Sequence, residues 1–182
     1  ILQSVNEQTM TALNGTNVSA SNIFSINFTS LKNQVVEFAN CRYNGSYVLG
    51  GTNNTTPPFT VEDGNLMYNG VKVNDIQKTE GKFYVGGEKV PQSDSIDLSI
   101  KNGEVDPRSA FNMSVSGLDC LGYGTSEITY QDTEGNSHTE TVPNNAYDIL
   151  DEMSKCLDEK DFDRLGALND HLKETLDGLV NE

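Results

Sequence analysis

Ser21-Asn22-Ile23-Phe24-Ser25-Ile26-Asn27-Phe28-Thr29-Ser30-Leu31-Lys32-Asn33-Gln34-Val35-Val36-Glu37-Phe38-Ala39-Asn40 is the stretch on which the fold turns. Phe24, Phe28, Leu31, Val35 and Phe38 recur at steps of four and three, the spacing of one helix face, and Ser21 or Asn22 is placed to cap the first turn. Full burial of each such side chain is worth about 1.5–3 kcal/mol, so an isolated helix would leave most of that unrealised. The stripe requires a helical partner. Ahead of it, Leu2, Val5, Thr9 and Leu13 repeat the pattern up to Asn14-Gly15, where a left-handed cap is expected, and Asn44-Gly45 is expected to close the second helix.

The partner is sought at the other end of the chain. Pro143 and Asn144 precede Tyr147, Ile149, Leu150, Met153 and Leu157, and an acidic turn from Asp158 to Asp161 leads into Phe162, Leu165, Leu168, Leu172, Leu176 and Leu179. This pattern predicts an antiparallel helical hairpin. The economical arrangement is an α+β fold in which 1–45 and 143–182 form one discontinuous antiparallel helical bundle and 46–142 is an inserted, small antiparallel β domain.

Inside that insertion the period changes. Tyr47-Val48-Leu49, Leu66-Met67-Tyr68, Phe83-Tyr84-Val85, Ile96 to Ile100, Phe111 to Val115 and Ile128-Thr129-Tyr130 read as short strands. Ile96, Leu98 and Ile100 alternate with polar residues, as do Phe111, Met113 and Val115, so each strand is expected to bury one face. Asp63-Gly64, Asn69-Gly70, Gly86-Gly87, Asn102-Gly103 and Glu134-Gly135 supply the reversals.

The chain has 182 residues, and 12 Lys+Arg against 27 Asp+Glu leave a net charge of −15. A nucleic-acid backbone or an anionic membrane face repels such a molecule. There is no apolar run of the ~18 residues a membrane span needs and no secretory leader, so the chain reads as soluble. It starts at Ile1 and ends at Glu182 within a helical pattern, as an excised piece of a longer protein would. Hydrophobic residues are 35% and Trp is absent, and mean hydropathy is −0.49. This profile leans to an extracellular or appendage protein rather than a compact metabolic enzyme.

Chemistry-bearing motifs are sparse. No phosphate-cradling GxxxxGK[ST] or GxGxxG occurs; Gly50-Gly51 and Gly122-Tyr123-Gly124 are read as backbone bends. The histidines are His138, in a predicted hairpin, and His171, placed on the exposed side of the last helix, so no HExxH metal site and no cofactor is expected. Asp132, Glu134 and Asn136 alternate like the start of a calcium loop but lack its closing Glu, which favours a polar hairpin tip. Cys41, Cys120 and Cys156 form neither a CxxC pair nor a zinc knuckle and are read as buried thiols in preference to a disulfide, without a base to activate them, their redox state being left open. Acidic residues always offer some pair at a glycosidase spacing, so that signal is unspecific, and the acids from Asp148 to Asp177 are read as a solvated helix face. The Asn-x-Ser/Thr triplets at Asn14, Asn17, Asn27, Asn44, Asn53, Asn54 and Asn112 follow from the abundance of those residues. No catalytic site is expected.

One block is more specific. Leu31 to Phe38 with Ala39-Asn40, then Asn44-Gly45-Ser46-Tyr47-Val48-Leu49-Gly50-Gly51-Thr52 and Pro57-Pro58-Phe59, resembles the hook-associated protein 3 family of the bacterial flagellin superfamily. In that family a helix ending in Ala-Asn is followed by an Asn-Gly or similar turn and a G-x-Y-x-F-G-G-T stretch. The resemblance continues through Tyr68-Asn69-Gly70, through Ser109 to Gly117 and through Ala146 to Leu150, and covers essentially the whole chain. Leu49 stands where the family often has Phe, and three cysteines are more than an exported appendage protein usually carries.

The resemblance implies a non-enzymatic structural protein, exported by the flagellar apparatus, that forms a ring between hook-associated protein 1 and flagellin. It also implies long terminal helices outside this chain that drive polymerisation, so the chain alone is expected to stay monomeric. Flagellin itself is the alternative within the superfamily. A surface carbohydrate-binding or adhesive module, suggested by the Asn/Thr-rich loop from Thr52 to Thr56 and the tyrosines, is the alternative outside it.

Overall fold

The computed structural model describes residues 2–14, 21–94, 96–98, 111–114 and 116–180. Five helices are described: α1 (Leu2–Asn14), α2 (Ser21–Ala39), α3 (Leu118–Leu121), α4 (Ala146–Glu159) and α5 (Phe162–Val180). Between them run short strands β1 (Arg42–Tyr43), β2 (Ser46–Tyr47), β3 (Phe59–Glu62), β4 (Asn65–Tyr68), β5 (Val71–Lys72), β6 (Gln77–Thr79), β7 (Lys82–Val85), β8 (Glu88–Lys89), β9 (Ile96–Leu98), β10 (Phe111–Ser114), β11 (Thr125–Gln131) and β12 (Ser137–Pro143). The fold is α+β, and every strand pairing among the described residues is antiparallel.

Two compact units result, one from Ile1–Val35 with Gly124–Glu182, the other from Val36–Tyr123. The boundaries fall away from the expected 45/46 and 142/143. The β11–β12 hairpin packs on α5 and so stands with the helices, while the last turn of α2 stands with the strands.

In the helical unit the two ends of the chain meet. α1 packs on α5, with Asn169 Nδ2 donating to Asn6 Oδ1 at 3.2 Å. α2 meets α4 through the buried Ser25 and Ser154 hydroxyls, 3.0 Å apart, and Lys32 pairs with Asp151. The α4 N-terminus is fixed by a reciprocal cap: Asp148 N–H donates to Asn145 Oδ1 at 2.9 Å, and Asn145 Nδ2 donates to Asp148 Oδ2 at 2.8 Å. Lys160, at φ +62°, ends the helix in a left-handed turn, and Asp161 Oδ1 then accepts from Arg164 N–H at 3.0 Å to start α5. Val5, Phe28, Val35, Ile149, Leu150, Met153, Leu157, Leu165, Leu168 and Leu172 form the core.

The buried face of α2 is rotated from the one its large apolar residues outline. Phe28 and Val35 are buried, Phe24 and Leu31 are half-buried, and Phe38 is 63% exposed. The residues that complete the face are Ser21, Ser25 and Ala39. At about 100° per residue, Ala39 lies close to the Phe28 meridian and Phe38 about 80° from it. On α5, Phe162 and Leu176 are half-buried, and the Leu179 side chain, like that of Leu2, lies outside the described residues. Of the other α1 positions, Val5 and Thr9 are buried and Leu13 is 37% exposed. His171 is buried, not exposed as the periodicity indicated, with Nε2 3.0 Å from the Pro143 carbonyl. α5 has α1, α4 and β11 for neighbours, so more than one stripe of it leaves solvent.

The acidic residues of α4 and β12 are partly ordered. Arg164 donates from Nε to Glu140 at 2.7 Å and from Nη2 to Glu152 at 2.9 Å, tying α5 to β12 and α4. Lys155 joins Asp151 at 3.0 Å to Glu152 at 2.8 Å. Burial raises the carboxyl pKa values of Asp151 and Glu152, but hydrogen bonds from Lys32 and Lys155 to the first and from Lys155 and Arg164 to the second outweigh it and hold both below the ordinary values.

The strand unit is built from two-residue hairpins. Asn44-Gly45, Asp63-Gly64, Asn69-Gly70, Glu80-Gly81 and Gly86-Gly87 each join paired strands with both φ values positive. Asn44-Gly45 therefore does not cap α2, which ends at Ala39; it turns β1 into β2. Glu80-Gly81 is a reversal that the sequence did not announce, because Glu has no preference for that conformation. β10 pairs with β9, Phe111 opposite Leu98, while the expected turn at Asn102-Gly103 and the strand ends at 99–100 and 115 lie outside the described residues, as do the side chains whose alternation was read. Leu49, Phe59, Leu66, Tyr68, Val73, Ile76, Phe83, Val90, Leu118 and Leu121 make this unit's core.

Phe28→Ala should cost about 3–5 kcal/mol in denaturant unfolding, as a large buried aromatic does, and Phe38→Ala less than about 1 kcal/mol. Equal losses would overturn the assigned face of α2. The depressed carboxyls contribute stability above about pH 4–5 that disappears as pH falls through their lowered values. An Asp151→Asn/Glu152→Gln variant should therefore show a shallower loss of unfolding free energy than the parent between about pH 5 and 3.

Candidate functional site

The block from Ala39 to Phe59 becomes a single hydrogen-bonded node of the strand unit. Ala39 is wholly buried at the end of α2, and the next residue, Asn40, is turned on the start of β3. Its Nδ2 donates to the Phe59 carbonyl at 2.8 Å, and its Oδ1 accepts from the Phe59 N–H at 3.0 Å. A side-chain amide thus takes the place of a neighbouring strand.

The hairpin at Asn44-Gly45 then returns the chain. Tyr47 is buried, its N–H donating to the Asn54 carbonyl at 3.0 Å, with the Arg42 guanidinium 4.3 Å over its ring. Leu49 C=O accepts from Gly117 N–H at 2.9 Å, and Gly50 bridges to Ser116. At Gly50 a Cβ would fall on the Asn53 carbonyl. At Gly51, with φ +61°, it would meet the backbone carbonyls of Gln92 and Asp94. Thr52, exposed, donates its N–H to the same Gln92 carbonyl at 3.0 Å.

Pro57 is exposed, whereas Pro58 is buried and its carbonyl accepts from Asn69 N–H at 2.8 Å. Phe59 packs against Tyr68, ring centroids 4.9 Å apart, and leaves no room for a Cβ at Gly117. Asn53 and Asn69 repeat the device of Asn40. Asn53 Oδ1 accepts from Thr56 Oγ1 at 2.9 Å, Asn53 Nδ2 donates to Asn69 Oδ1 at 2.8 Å, and Asn69 Nδ2 donates to the Pro91 carbonyl at 3.1 Å. Burial raises the pKa of the Tyr68 phenol, so this hydroxyl stays neutral, 3.4 Å from Ser116 Oγ. The node holds backbone together; it presents no nucleophile with a base beside it.

No protein-family model matches the chain, and no curated protein sequence matches it. Solved structures do. Bacillus cereus FlgL is 18% identical with a TM-score of 0.56, the match covering 99% of this chain and 65% of that one. Xanthomonas campestris FlgL is 13% identical with a TM-score of 0.64, covering 99% and 78%. The flagellar hook associated protein-3 from Legionella pneumophila is 12% identical with a TM-score of 0.63, covering 99% and 77%. The fold is that of hook-associated protein 3. The chain spans 65% of the length of the Bacillus protein.

Asp132 at the tip of β11–β12 accepts from His138 Nε2 at 2.8 Å, from Asn136 Nδ2 at 3.0 Å and from the backbone N–H groups of Asn136 and Glu134 at 2.8 and 3.0 Å. These bonds, His138 foremost, hold its carboxyl far below the usual range and occupy the oxygens a cation would need. Among the described residues no group of three His, Cys, Asp or Glu is placed to hold a metal ion, and no helix is long and apolar enough to cross a membrane. Of the cysteines, Cys156 is buried, Cys41 is half-buried and Cys120 is exposed, which corrects the reading of all three as buried. Burial pushes the Cys156 thiol up to about 11, Arg164 opposing it in part.

Sequence reasoning missed the clamps formed by Asn40, Asn53 and Asn69, because an Asn beside a turn reads as turn chemistry. It also missed α3 and the tie made by Arg164, whose only signal was a guanidinium among carboxylates. Asn40→Ala leaves the buried Phe59 amide without partners and should cost about 1–3 kcal/mol. Asn40→Asp keeps the acceptor but loses the donor to the Phe59 carbonyl, so the clamp predicts that it will also be destabilised in urea unfolding.

Proposed function

We propose that the protein is a structural, non-enzymatic component of the bacterial flagellum that forms the junction between hook and filament. The observation that carries this reading is the match of 99% of the chain to structures of FlgL and hook-associated protein-3. In this role the full-length protein, outside the cell after export through the flagellar apparatus, forms a ring that adapts hook-associated protein 1 to flagellin. The stretch from Tyr47 to Thr52 with Pro57-Pro58-Phe59 favours this position over that of flagellin.

A subunit needs surface for its neighbours. On the helical unit, Ile23 and Ile26 are 60% and 66% exposed on α2, and on the strand unit Phe38 and Tyr43 are 63% and 73% exposed. We assign lateral contacts to Ile23 and Ile26, two large exposed apolar side chains three residues apart on one face of α2.

The full-length gene should restore motility and attached filaments to a strain lacking its junction protein. Failure of motility to return overturns the reading, and abundance of the protein along sheared filaments would make it a flagellin. Ile23→Ser/Ile26→Ser should change the unfolding free energy of the chain by less than about 1 kcal/mol. The same change in the full-length protein should reduce complementation; unchanged motility would remove these residues from the contact.

A further inference from the structure

Tyr43-Asn44-Gly45 and Tyr68-Asn69-Gly70 are the same tripeptide in the same kind of turn. The Asn φ values are +48° and +49° and the Gly φ values +85° and +81°, and the turns close the β1–β2 and β4–β5 hairpins. Both glycines face open space. The asparagine side chains differ. Asn69 is half-buried, with Oδ1 accepting from Asn53 Nδ2 at 2.8 Å and Nδ2 donating to the Pro91 carbonyl at 3.1 Å. Asn44, Gly45 and Ser46 are all exposed, and among the described residues neither the Asn44 amide nor the Gly45 N–H has a hydrogen-bond partner.

We propose that Asn44 is a site of spontaneous deamidation and isomerisation through a succinimide, and that Asn69 is kept from the same reaction by its side-chain hydrogen bonds. The backbone nitrogen of Gly45 attacks Cγ of Asn44. The new C–N bond closes the succinimide ring, the Cγ–Nδ2 bond breaks, and Nδ2 leaves as ammonia with the proton that the Gly45 nitrogen gives up. Water then opens the ring at one of its two carbonyls, leaving aspartate or isoaspartate at position 44. Nothing is oxidised or reduced, and water is the one co-reactant.

A following glycine leaves the attacking nitrogen unobstructed, and this holds at both turns. What separates them is the cost of bringing Cγ to that nitrogen. The Asn44 turn is held by two residue pairs, Arg42 with Tyr47 and Tyr43 with Ser46, and a ribbon so short opens readily. At Asn69 both side-chain bonds must break first, and β4 is also paired with β3 over four residues. The product matters to the strand unit. Isoaspartate carries the main chain through its side-chain carbon, which lengthens a two-residue turn by one methylene and removes the register of Tyr43 with Ser46. Either product adds a negative charge to a chain already at −15.

Cleavage after Glu37, Glu62 and Glu80 puts the two turns on separate peptides, Phe38–Glu62 and Asp63–Glu80. The folded chain is kept warm in mildly alkaline buffer, sampled over time, digested under mildly acidic conditions and analysed by mass spectrometry with fragmentation. The expected result is a gain of about 1 Da at Asn44, arising at least about tenfold faster than the same gain at Asn69. A protein-isoaspartate methyltransferase should label the first peptide well before the second. In urea, where the hydrogen bonds are gone and the tripeptides are identical, the two rates should agree within about twofold. Asn44→Gln should remove the gain from Phe38–Glu62. Equal rates in the folded chain, Asn69 ahead of Asn44, or no reaction at Asn44 before unfolding would overturn the proposal. A tenfold preference that persists in urea would overturn it too, because the protection would not then come from the fold.

Discussion

The pair of hydrogen bonds between the Asn40 side chain and the Phe59 backbone is what the strand unit depends on. Its strands are two to four residues long, too short for their own ladders to hold a sheet against chain entropy. A primary amide carries a donor and an acceptor at the spacing of a peptide group, so it can stand in for a strand. It does so where α2 ends and β3 begins. Phe59 is thereby set against Tyr68 and Gly117, and the Leu49 carbonyl between them receives the Gly117 N–H. An aspartate there could not donate, and a glutamine would add a rotor to be frozen. The abundance of Asn in this chain, a compositional oddity at first sight, is in part the material of these clamps.

The helical unit is held by other means. Five consecutive residues of α4, Ala146 to Leu150, are buried, because the helix is covered on more than one side, by α2, α5 and β12. Two of the polar pairs taken inside are matched in place: Asn145 with Asp148, and Ser25 with Ser154. Arg164 meets two carboxylates at the edge, where the cost of removing charge from water is moderate. In a chain of net charge −15 this cation has a second effect, since it relieves repulsion between Glu140 and Glu152.

What the sequence made legible followed from periodicity and turn chemistry. The four long helices, the meeting of the two chain ends and most two-residue turns are visible as apolar steps of three and four or as Asn-Gly, Asp-Gly and Gly-Gly pairs. What stayed hidden has a common cause: small or polar residues doing work that pattern reading gives to large apolar ones. Ser21, Ser25 and Ala39 define the buried face of α2, since small side chains allow close approach, while Phe38 is left outside. His171 is buried because a third neighbour, the β11–β12 hairpin, covers α5, and no local signal announces a tertiary neighbour. In the candidate node the glycines and prolines were visible, but the partners of Asn40, Asn53 and Asn69 lie 16 to 22 residues away and could not be read.

The two-residue turns carry a consequence for the order of events in folding. Asn44-Gly45, Asp63-Gly64, Asn69-Gly70, Glu80-Gly81 and Gly86-Gly87 each pair residues that are near neighbours along the chain, so their hairpins can close on the microsecond scale with little loop entropy to overcome. The joining of Leu49 to Gly117 spans most of the unit and must wait for them. Barrier crossing in this unit is thus a search among preformed ribbons for one long-range closure, and its speed is governed by the joining of Leu49 to Gly117 rather than by the turns.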